Sequence, residues 1–258
     1  MPLEERLNDI PRGNTAPGVN RAVIEYLLAA GEIKGPLLDV PCGGGIFLDA
    51  VKGFFPDVDT YGVDIEPREG TAHRMFKSDL SGSEPLDLGE KFGLITSISG
   101  VMEFDNTLNF FRRLRENIAD DGLLIVTNDN LLSVRDRVLY FFSGRFRQYP
   151  MFVADDAPTW KILALQNLLR ILKDAGFETA EVRYVPAKWT EWLWLPIALP
   201  IYLFQSMAFA FGRDAMPYEE KAARYPFASL LSRHYFIVCR PAGLPPENRQ
   251  ALKIRAPE

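Results

Sequence analysis

The segment LLDVPCGGG, residues 37–45, joins a short hydrophobic run to a cluster of three glycines. The run at 37–40 predicts a buried strand, and the apolar spacing from 46 to 55 predicts a helix that ends before Pro56. Glycine at such a junction lets the backbone turn sharply and approach a ligand closely, while the start of the helix presents unpaired N–H groups. The segment therefore predicts a ligand-binding loop, with an ordinary glycine-rich turn as the alternative.

A second polar position follows the next predicted strand. YGVDIEP, residues 61–67, brings Asp64 to the end of a strand predicted at 60–65, roughly 20 residues past the glycines. A carboxylate at the tip of a second strand can accept hydrogen bonds from both hydroxyls of a ribose. Asp64 is therefore a candidate nucleoside-binding residue; Glu66 is a competing choice, and a solvated acid in a turn is the alternative.

Patterns typical of strands and helices alternate along the chain, which predicts an α/β fold with a largely parallel sheet covered by helices on both faces. The further predicted strands are 73–78, 92–97, 122–127, 177–185 and 232–240. The other predicted helices are 17–30, 108–118 and 160–175.

The pattern DxPxGxG, formed by Asp39, Pro41, Gly43 and Gly45, resembles the first motif of the class I S-adenosylmethionine-dependent methyltransferases. Pro41 stands where the family usually has glycine. Asp64 falls on the family's ribose-binding acid. Three further segments are similar to later motifs of this family: KSDL at 77–80, FGLITSISGVMEF at 92–104 and DDGLLIVTNDN at 120–130. The resemblance covers 18–130 well and 160–242 loosely.

This resemblance implies a Rossmann-like, doubly wound sheet that is mostly parallel, with an antiparallel last strand. It also implies S-adenosyl-L-methionine as the cofactor. The residues expected to bind it are Asp39, Val40, Pro41, Cys42, Gly43, Gly45, Asp64, Ile65, Asp79, Leu80 and Ser99.

A nicotinamide-dependent oxidoreductase would share the glycine loop and the acid after the second strand. Two observations disfavour it. Leu48 stands where the third glycine of G-x-G-x-x-G is expected, and the one Tyr-x-x-x-Lys, from Tyr184 to Lys188, contains Pro186. This enzyme class is therefore the less favoured alternative.

Methyl transfer requires few reactive side chains, because the donor is already activated and the site must mainly align the reactants. The resemblance places Glu103 at the rim of the active site as a candidate base. His73 and His234 lie in predicted strands, where a structural role is expected. No metal site is expected.

Arginines alternate with aromatic residues in the segment that follows the fifth predicted strand, where this family commonly builds its acceptor pocket. Such a mixture suits a phosphate-bearing or lipid-headgroup ligand, while an amphipathic helix with a solvated basic face is the alternative. The candidate substrate-binding residues are Arg135, Tyr140, Arg145, Arg147 and Tyr149.

The segment WTEWLWLPIALPIYLFQSMAFAF, 189–211, contains one charge and is long enough to cross a bilayer. If the strands before and after it pair in one sheet, both of its ends lie on the same side of any membrane, so a single crossing is excluded. Pro196 and Pro200 favour a broken, re-entrant shape. Peripheral (monotopic) membrane contact is expected, with an oligomer interface or an intramolecular cap as the alternatives.

The net charge of −5 disfavours a nucleic-acid partner, and two cysteines without a disulfide framework fit the cytoplasm. We expect one domain over 1–258 and a small or lipid-linked acceptor methylated on O or N, at the inner face of a membrane. A non-catalytic, membrane-associated scaffold with the same fold is the alternative. The expected parts are a helical cap at 1–36, a cofactor-binding core at 37–130, a substrate lid at 131–159, the rest of the sheet at 160–187 and 232–242, and the apolar insert at 188–231.

Overall fold

A seven-stranded sheet forms the centre of the computed structural model, which describes residues 1–31, 33–149, 151–152, 160–212 and 216–243. Residues 150 and 153–159 of the expected lid lie outside the described residues. The strands are Leu37–Asp39 (β1), Thr60–Asp64 (β2), Arg74–Lys77 (β3), Phe92–Ser97 (β4), Ile118–Asp129 (β5), Phe177–Tyr184 (β6) and His234–Pro241 (β7).

The strand order is β3-β2-β1-β4-β5-β7-β6. The first five strands are mutually parallel, and β7 lies antiparallel between β5 and β6. This arrangement confirms the predicted doubly wound, Rossmann-like sheet with an antiparallel last strand. As a consequence, the carboxyl ends of the other strands and the beginning of β7 meet at one edge of the sheet.

Helices cover both faces of the sheet. They are Leu3–Asn8 (α1), Val19–Ala30 (α2), Ile46–Phe54 (α3), Thr107–Asn117 (α4), Val134–Ser143 (α5), Leu165–Asp174 (α6), Leu195–Phe211 (α7) and Tyr218–Arg224 (α8), with 3₁₀ turns at Trp189–Trp194 and Phe227–Leu230. Side chains of α1, α2 and α3 share one hydrophobic cluster, and side chains of α4 and α6 share the other.

The strands supply both clusters because successive side chains of a strand point to opposite faces. In β7, Ile237 packs with α4 and α6, whereas its neighbours Phe236 and Val238 pack with α2 and α3. In β1, Leu37 and Leu38 divide in the same way. The near-continuous apolar runs in these strands follow from burial on both faces.

Two predicted elements have different bounds. The helix predicted at 160–175 begins only at Leu165, because Lys161 is held in extended chain: its N–H donates to the carbonyl of Met102, and its ammonium donates to the carbonyls of Phe104 and Asp105. The strand predicted at 122–127 extends over Ile118–Asp129, because its early residues continue the pairing with β4 past an irregularity.

The broken, re-entrant shape predicted for 189–211 is wrong, since α7 is a continuous helix over Leu195–Phe211. Pro196 lies in the first turn, where its missing N–H has no intrahelical role, and Pro200 removes one hydrogen bond without ending the helix. Among the described residues, Trp189–Phe211 is long and apolar enough to cross a membrane by length and composition, with a mean hydropathy of 1.5.

Gly93 in β4 provides a test of the packing between this strand and the turn before β1. A Cβ at this position would lie 1.3 Å from the carbonyl oxygen of Lys34, so backbone would have to move. We expect Gly93→Ala to lower the free energy of unfolding by about 2–4 kcal/mol in urea titrations. Gly53→Ala in α3 is the control, because a Cβ there meets nothing within 4 Å; it should stabilise by up to ~1 kcal/mol. Equal effects of the two substitutions would contradict this packing.

Candidate active site

A cavity of about 770 Å³ opens at the edge of the sheet where the carboxyl ends of the strands meet. Its wall includes Asp39 at the end of β1, Asp64 at the end of β2, Asp129 at the end of β5 and His234 at the beginning of β7. The volume lies within the range of small-molecule sites. Crevices outside the carboxyl ends of the strands are where open α/β sheets bind their ligands.

The glycine loop after β1 is tied to the end of β2. The N–H of Gly43 donates to Oδ2 of Asp64 at 2.7 Å, and the N–H of Cys42 donates to the carbonyl of Val63 at 3.0 Å. Gly43 and Gly45 have positive φ values of 51° and 77°, which glycine adopts without steric cost. These contacts hold the loop open, and a Cβ on Gly44 would meet nothing within 4 Å.

Asp39 is a buried acid beneath this loop. The hydroxyl of Thr96 donates to Oδ1 of Asp39 at 2.7 Å. Burial raises the pKa of Asp39 to about 7, the hydrogen bond from Thr96 opposes the shift, and the nearby charge of Asp64 adds to it. Asp39 therefore changes charge in the neutral pH range.

The turn after β4 packs closely against Pro41. A Cβ on Gly100 would lie 2.2 Å from Cγ of Pro41, so the proline in place of the family glycine is matched by a glycine opposite it. Ser99 has a φ of 56°; its N–H donates to the hydroxyl of Thr127, and its hydroxyl lies 2.5 Å from that of Thr15. These bonds join the loop at 11–17 to the wall of the cavity.

The opposite end of the cavity, beside β5 and β7, carries cationic side chains. Arg147 and Arg233 line this end, as does Lys188. Arg233 pairs with the buried carboxylate of Glu191, which also accepts from Arg135 at 3.2 Å. Arg147 has weaker compensation, since the nearest oxygens of Asp129 and Asp136 lie 3.9 and 3.8 Å from Nη2.

Burial lowers the pKa of Arg147, and its Nε has no hydrogen-bond partner among the described residues.

The structure brings eight predicted site residues to the wall of the cavity: Asp39, Pro41, Cys42, Gly43, Asp64, Ser99, Glu103 and Arg147. Glu103 is exposed at the rim near Asp64, and partial desolvation raises its pKa.

Of the other predicted cofactor residues, Gly45 and Val40 lie behind the loop, and Ile65 is exposed outside the wall. Asp79 is also exposed and accepts from the N–H of Ser81, while Leu80 is buried in the core.

Four predicted substrate residues lie away from the cavity wall. The ring of Tyr140 is exposed and stacks on Phe146, and Arg145 is exposed. Arg135 is held by Glu191. Tyr149 is buried, and its hydroxyl donates weakly to the carbonyl of Lys161 at 3.4 Å. Arg147 is thus the one residue of this set that reaches the cavity.

Several wall residues were missed by the sequence-based prediction. Asp129 could have been predicted from the sequence, because it follows the predicted fifth strand and the carboxyl ends of parallel strands meet at this edge. Arg12, Trp160 and Arg233 lie in irregular segments of the structure, although Trp160 and Arg233 were predicted within a helix and a strand, so their positions follow only from the folded chain. Within the described ranges, no group of three or more His, Cys, Asp or Glu residues is arranged to hold a metal ion.

A comparison with protein families finds that the methyltransferase domain matches residues 14–182. The chain belongs to the methyltransferase family. The match includes the wall residues from Asn14 to Trp160, whereas Val185, Pro186, Lys188, Arg233 and His234 lie beyond its end. A comparison with curated proteins finds no match.

Solved structures share the fold of this methyltransferase. CcbJ methyltransferase from Streptomyces caelestis is 14% identical with a TM-score of 0.53, over 93% of this chain and 96% of that one. An S-adenosylmethionine-dependent methyltransferase from Clostridium acetobutylicum is 12% identical with a TM-score of 0.52, over 87% and 91% of the two chains. One from Archaeoglobus fulgidus is 14% identical with a TM-score of 0.52, over 86% and 92%.

The cofactor of this methyltransferase is S-adenosylmethionine, and the β1–β2 end of the cavity fits it. The ligand carries an ammonium group, a sulfonium and two ribose hydroxyls, all of which favour carboxylates as neighbours. Asp64 provides a carboxylate, Asp39 provides a carboxyl group that ionises near pH 7, and the open space above Gly44 admits a ligand close to the backbone.

The raised pKa of the buried Asp39 predicts how the stability of the methyltransferase depends on pH. Because the folded protein keeps the proton of Asp39 up to a pKa of about 7 while the unfolded chain releases it near 4, stability falls as the pH rises between these values. Asp39 contributes at most ~1.4 kcal/mol per pH unit to the slope of the free energy of unfolding against pH. Asp39→Asn removes this titration. In urea titrations, the free energy of unfolding of the variant should therefore rise relative to that of the wild type from pH 5 to 7, with no further rise above pH 8. If the free energies of unfolding of the two proteins change in parallel between pH 5 and 7, the raised pKa of Asp39 is contradicted.

Proposed function

We propose that this methyltransferase transfers the methyl group of S-adenosylmethionine to an O or N atom of an amphipathic acceptor, which it takes from the surface of a membrane. The observation that carries the proposal is continuity between the cavity and the apolar insert. Lys188 lines the cavity, and the next residue, Trp189, begins an exposed apolar surface that continues along α7.

Bound S-adenosylmethionine supplies an activated methyl group, so the chain need only orient the reactants and exclude water. We assign the adenosyl and methionine parts to the end with Asp39, Asp64 and the glycine loop. Ile65, Asp79 and Leu80 lie beyond the wall beside this end, and we assign them to the rim that faces the adenine. This leaves the β5–β7 end for the acceptor.

The charges at the acceptor end favour a ligand with an anionic or strongly polar group. Lys188, Arg147 and Arg233 line this end, and Nε of Arg147 lacks a partner. A desolvated guanidinium whose ion pairs are as long as 3.8 and 3.9 Å gains from a bidentate anion such as a phosphate or carboxylate. A headgroup of this kind fits the lid's arginine better than a wholly apolar acceptor does.

One face of α7 is attached to the protein along its length. Ala198 is buried beside Val134 and Leu231, the ring of Tyr202 contacts that of Phe227, and Gln205 accepts from Arg137. A helix held in this way cannot stand across a bilayer without unpacking. We therefore infer that it lies flat on the membrane, as monotopic helices do.

The other face of α7 is apolar and exposed. Phe204 is 74% exposed, and Phe141 and Phe142 of the neighbouring α5 are each 81% exposed. The remaining members of this membrane-facing patch are Trp189, Trp192, Leu193, Ile197, Leu199, Leu203, Met207 and Phe211. A contiguous surface of this kind favours lipid or protein contact over free exposure to water. We place the protein at the cytoplasmic face, in keeping with the free, buried thiols of Cys42 and Cys239.

Membrane contact is tested by vesicle flotation. We expect the wild type to float with vesicles of phosphatidylethanolamine and phosphatidylglycerol, and Leu203→Gln/Phe204→Gln to lose at least about tenfold in partitioning, since each apolar side chain contributes about 1.5–3 kcal/mol when buried. Leu3→Gln, an exposed leucine in α1, is the control and should float as the wild type does. Equal flotation of both variants would contradict the proposal, as would a wild type that forms a dimer through this patch and ignores vesicles.

The assigned cofactor site is tested at Asp64. Asp64→Asn keeps an oxygen for the N–H of Gly43 but removes the charge, so we expect S-adenosylmethionine to bind about 10–100-fold more weakly by calorimetry. Glu66→Ala, two residues away and outside the cavity wall, should leave the affinity unchanged. If Glu66→Ala weakens binding and Asp64→Asn does not, the assignment is wrong.

A further inference from the structure

We propose that His234, oriented by Asp129, is the general base of this methyltransferase and that the acceptor atom is therefore a hydroxyl oxygen. Nδ1 of His234 lies 3.0 Å from Oδ1 of Asp129. Both side chains are buried, and both line the acceptor end of the cavity. The inference rests on the proposed function, because it requires that the acceptor binds at this end.

The sheet itself places the two side chains together. Asp129 is the last residue of β5, and it is paired directly with His234, the first residue of β7. Residues directly opposite each other in antiparallel strands point to the same face and lie close together. The dyad therefore stands on two ordered strands, at the edge where the cavity opens.

The two nitrogens of the ring have different surroundings. Oδ1 of Asp129 is buried and makes no well-aligned hydrogen bond with the described residues, so a proton on Nδ1 of His234 is its nearest available donor. A proton held on Nδ1 leaves Nε2 as the basic nitrogen. No described residue donates to or accepts from Nε2, and His234 is one of the residues that line the cavity; we therefore assign Nε2 as the nitrogen that meets the acceptor. Catalytic contacts of this kind are often poorly aligned before the ligand binds.

Charged and titratable groups surround the dyad on every side. These groups are Asp136 of α5; Arg147 and Tyr149, which follow α5; Lys188 and Glu191, which precede α7; and Arg233 and Tyr235, which flank His234 in the chain.

The other histidine of the chain provides an internal comparison. Nε2 of His73 lies 2.9 Å from Asp49, and its Nδ1 lies 2.8 Å from the hydroxyl of Thr60. Both nitrogens are thus engaged, and the residue is outside the cavity wall. Glu103, the base candidate from the sequence, lies near Asp64 at the cofactor end and so is less well placed for the acceptor.

The acceptor oxygen forms a bond to the methyl carbon, the bond from that carbon to sulfur breaks, and its electron pair stays on the sulfur. The hydroxyl proton passes to Nε2 of His234 and afterwards to solvent. An amine acceptor would need no such base, because it reacts from its unprotonated form. A base held in this position therefore indicates a hydroxyl.

Nitrogen-15 NMR of the histidine side chains tests the dyad without turnover, and two histidines make the spectrum simple to assign. We expect neutral His234 to carry its proton on Nδ1 in the wild type and to shift toward the Nε2–H tautomer in Asp129→Asn, while the signals of His73 stay unchanged. A wild-type Nε2–H tautomer, or no response to Asp129→Asn, would overturn the proposal.

The reaction is tested with 4-nonylphenol and 4-nonylaniline in phosphatidylglycerol vesicles, followed by release of S-adenosylhomocysteine. We expect the phenol to be the preferred acceptor, and His234→Gln to lower kcat for it by about 10²–10⁴-fold, with partial recovery at high pH as the phenol ionises by itself. Asp129→Asn should lower it at least about tenfold, and His73→Gln should leave it unchanged.

Preference for the aniline, or equal rates in His234→Gln and the wild type, would overturn the assignment. If neither probe is methylated, the tautomer measurement decides. Calorimetry separates the two proposals: His234→Gln should bind S-adenosylmethionine within about twofold of the wild type, whereas a wild type that does not bind it would refute the proposed function itself.

Discussion

A mostly parallel sheet must bring its chain back through crossovers, and this constraint determines where chemistry can occur in the molecule. The carboxyl ends of β1, β2, β4 and β5 reach the same edge, so Asp39, Asp64 and Asp129 face one cavity although 90 residues separate the first from the last. The antiparallel β7 adds its first residue, rather than its last, to that edge. Only this reversal brings His234 to the cavity.

The cavity has two ends of different character. At the β1–β2 end, Asp39 and Asp64 are held by donors from Thr96 and the N–H of Gly43, so their oxygens are ordered. At the β5–β7 end, Arg147 and Arg233 stand over Asp129. A cationic methyl donor and an anionic or polar acceptor would meet complementary charges at their respective ends. The electrostatic difference thus favours one orientation of the two ligands over the reverse.

Local patterns in the sequence predicted which residues line the β1–β2 end of the cavity, because that end is built from strand tips and tight turns. LLDVPCGGG contains both the strand and the loop, and Asp64 follows its own strand directly. The helix at 160–175 was predicted too long because the spacing of apolar residues does not show that Lys161 is held outside the helix. The ammonium of Lys161 donates to carbonyls more than 50 residues earlier in the chain. Pro196 and Pro200 do not break the segment as predicted, since the contacts of one face keep α7 helical through Pro200.

The residues that line the β5–β7 end of the cavity were predicted poorly for a physical reason. The alternation of arginines and aromatics does not show which side of the segment meets the protein, and Arg145 and Arg147 lie beyond the end of α5. Arg147 turned inward, while Tyr140 and Arg145 remained outside. The dyad depends on a contact between residues 105 positions apart, which exists only once β7 lies against β5.

Two unsatisfied features lie on this side of the molecule. Nε of Arg147 is buried without a hydrogen-bond partner among the described residues, a state that costs about 1–3 kcal/mol. Beside it, α7 leaves a row of apolar side chains in water. A ligand with a polar head and an apolar body, bound where the protein meets lipid, would relieve both costs at once. An acceptor that is small and wholly soluble would satisfy Nε of Arg147 but leave the exposed face of α7 unexplained.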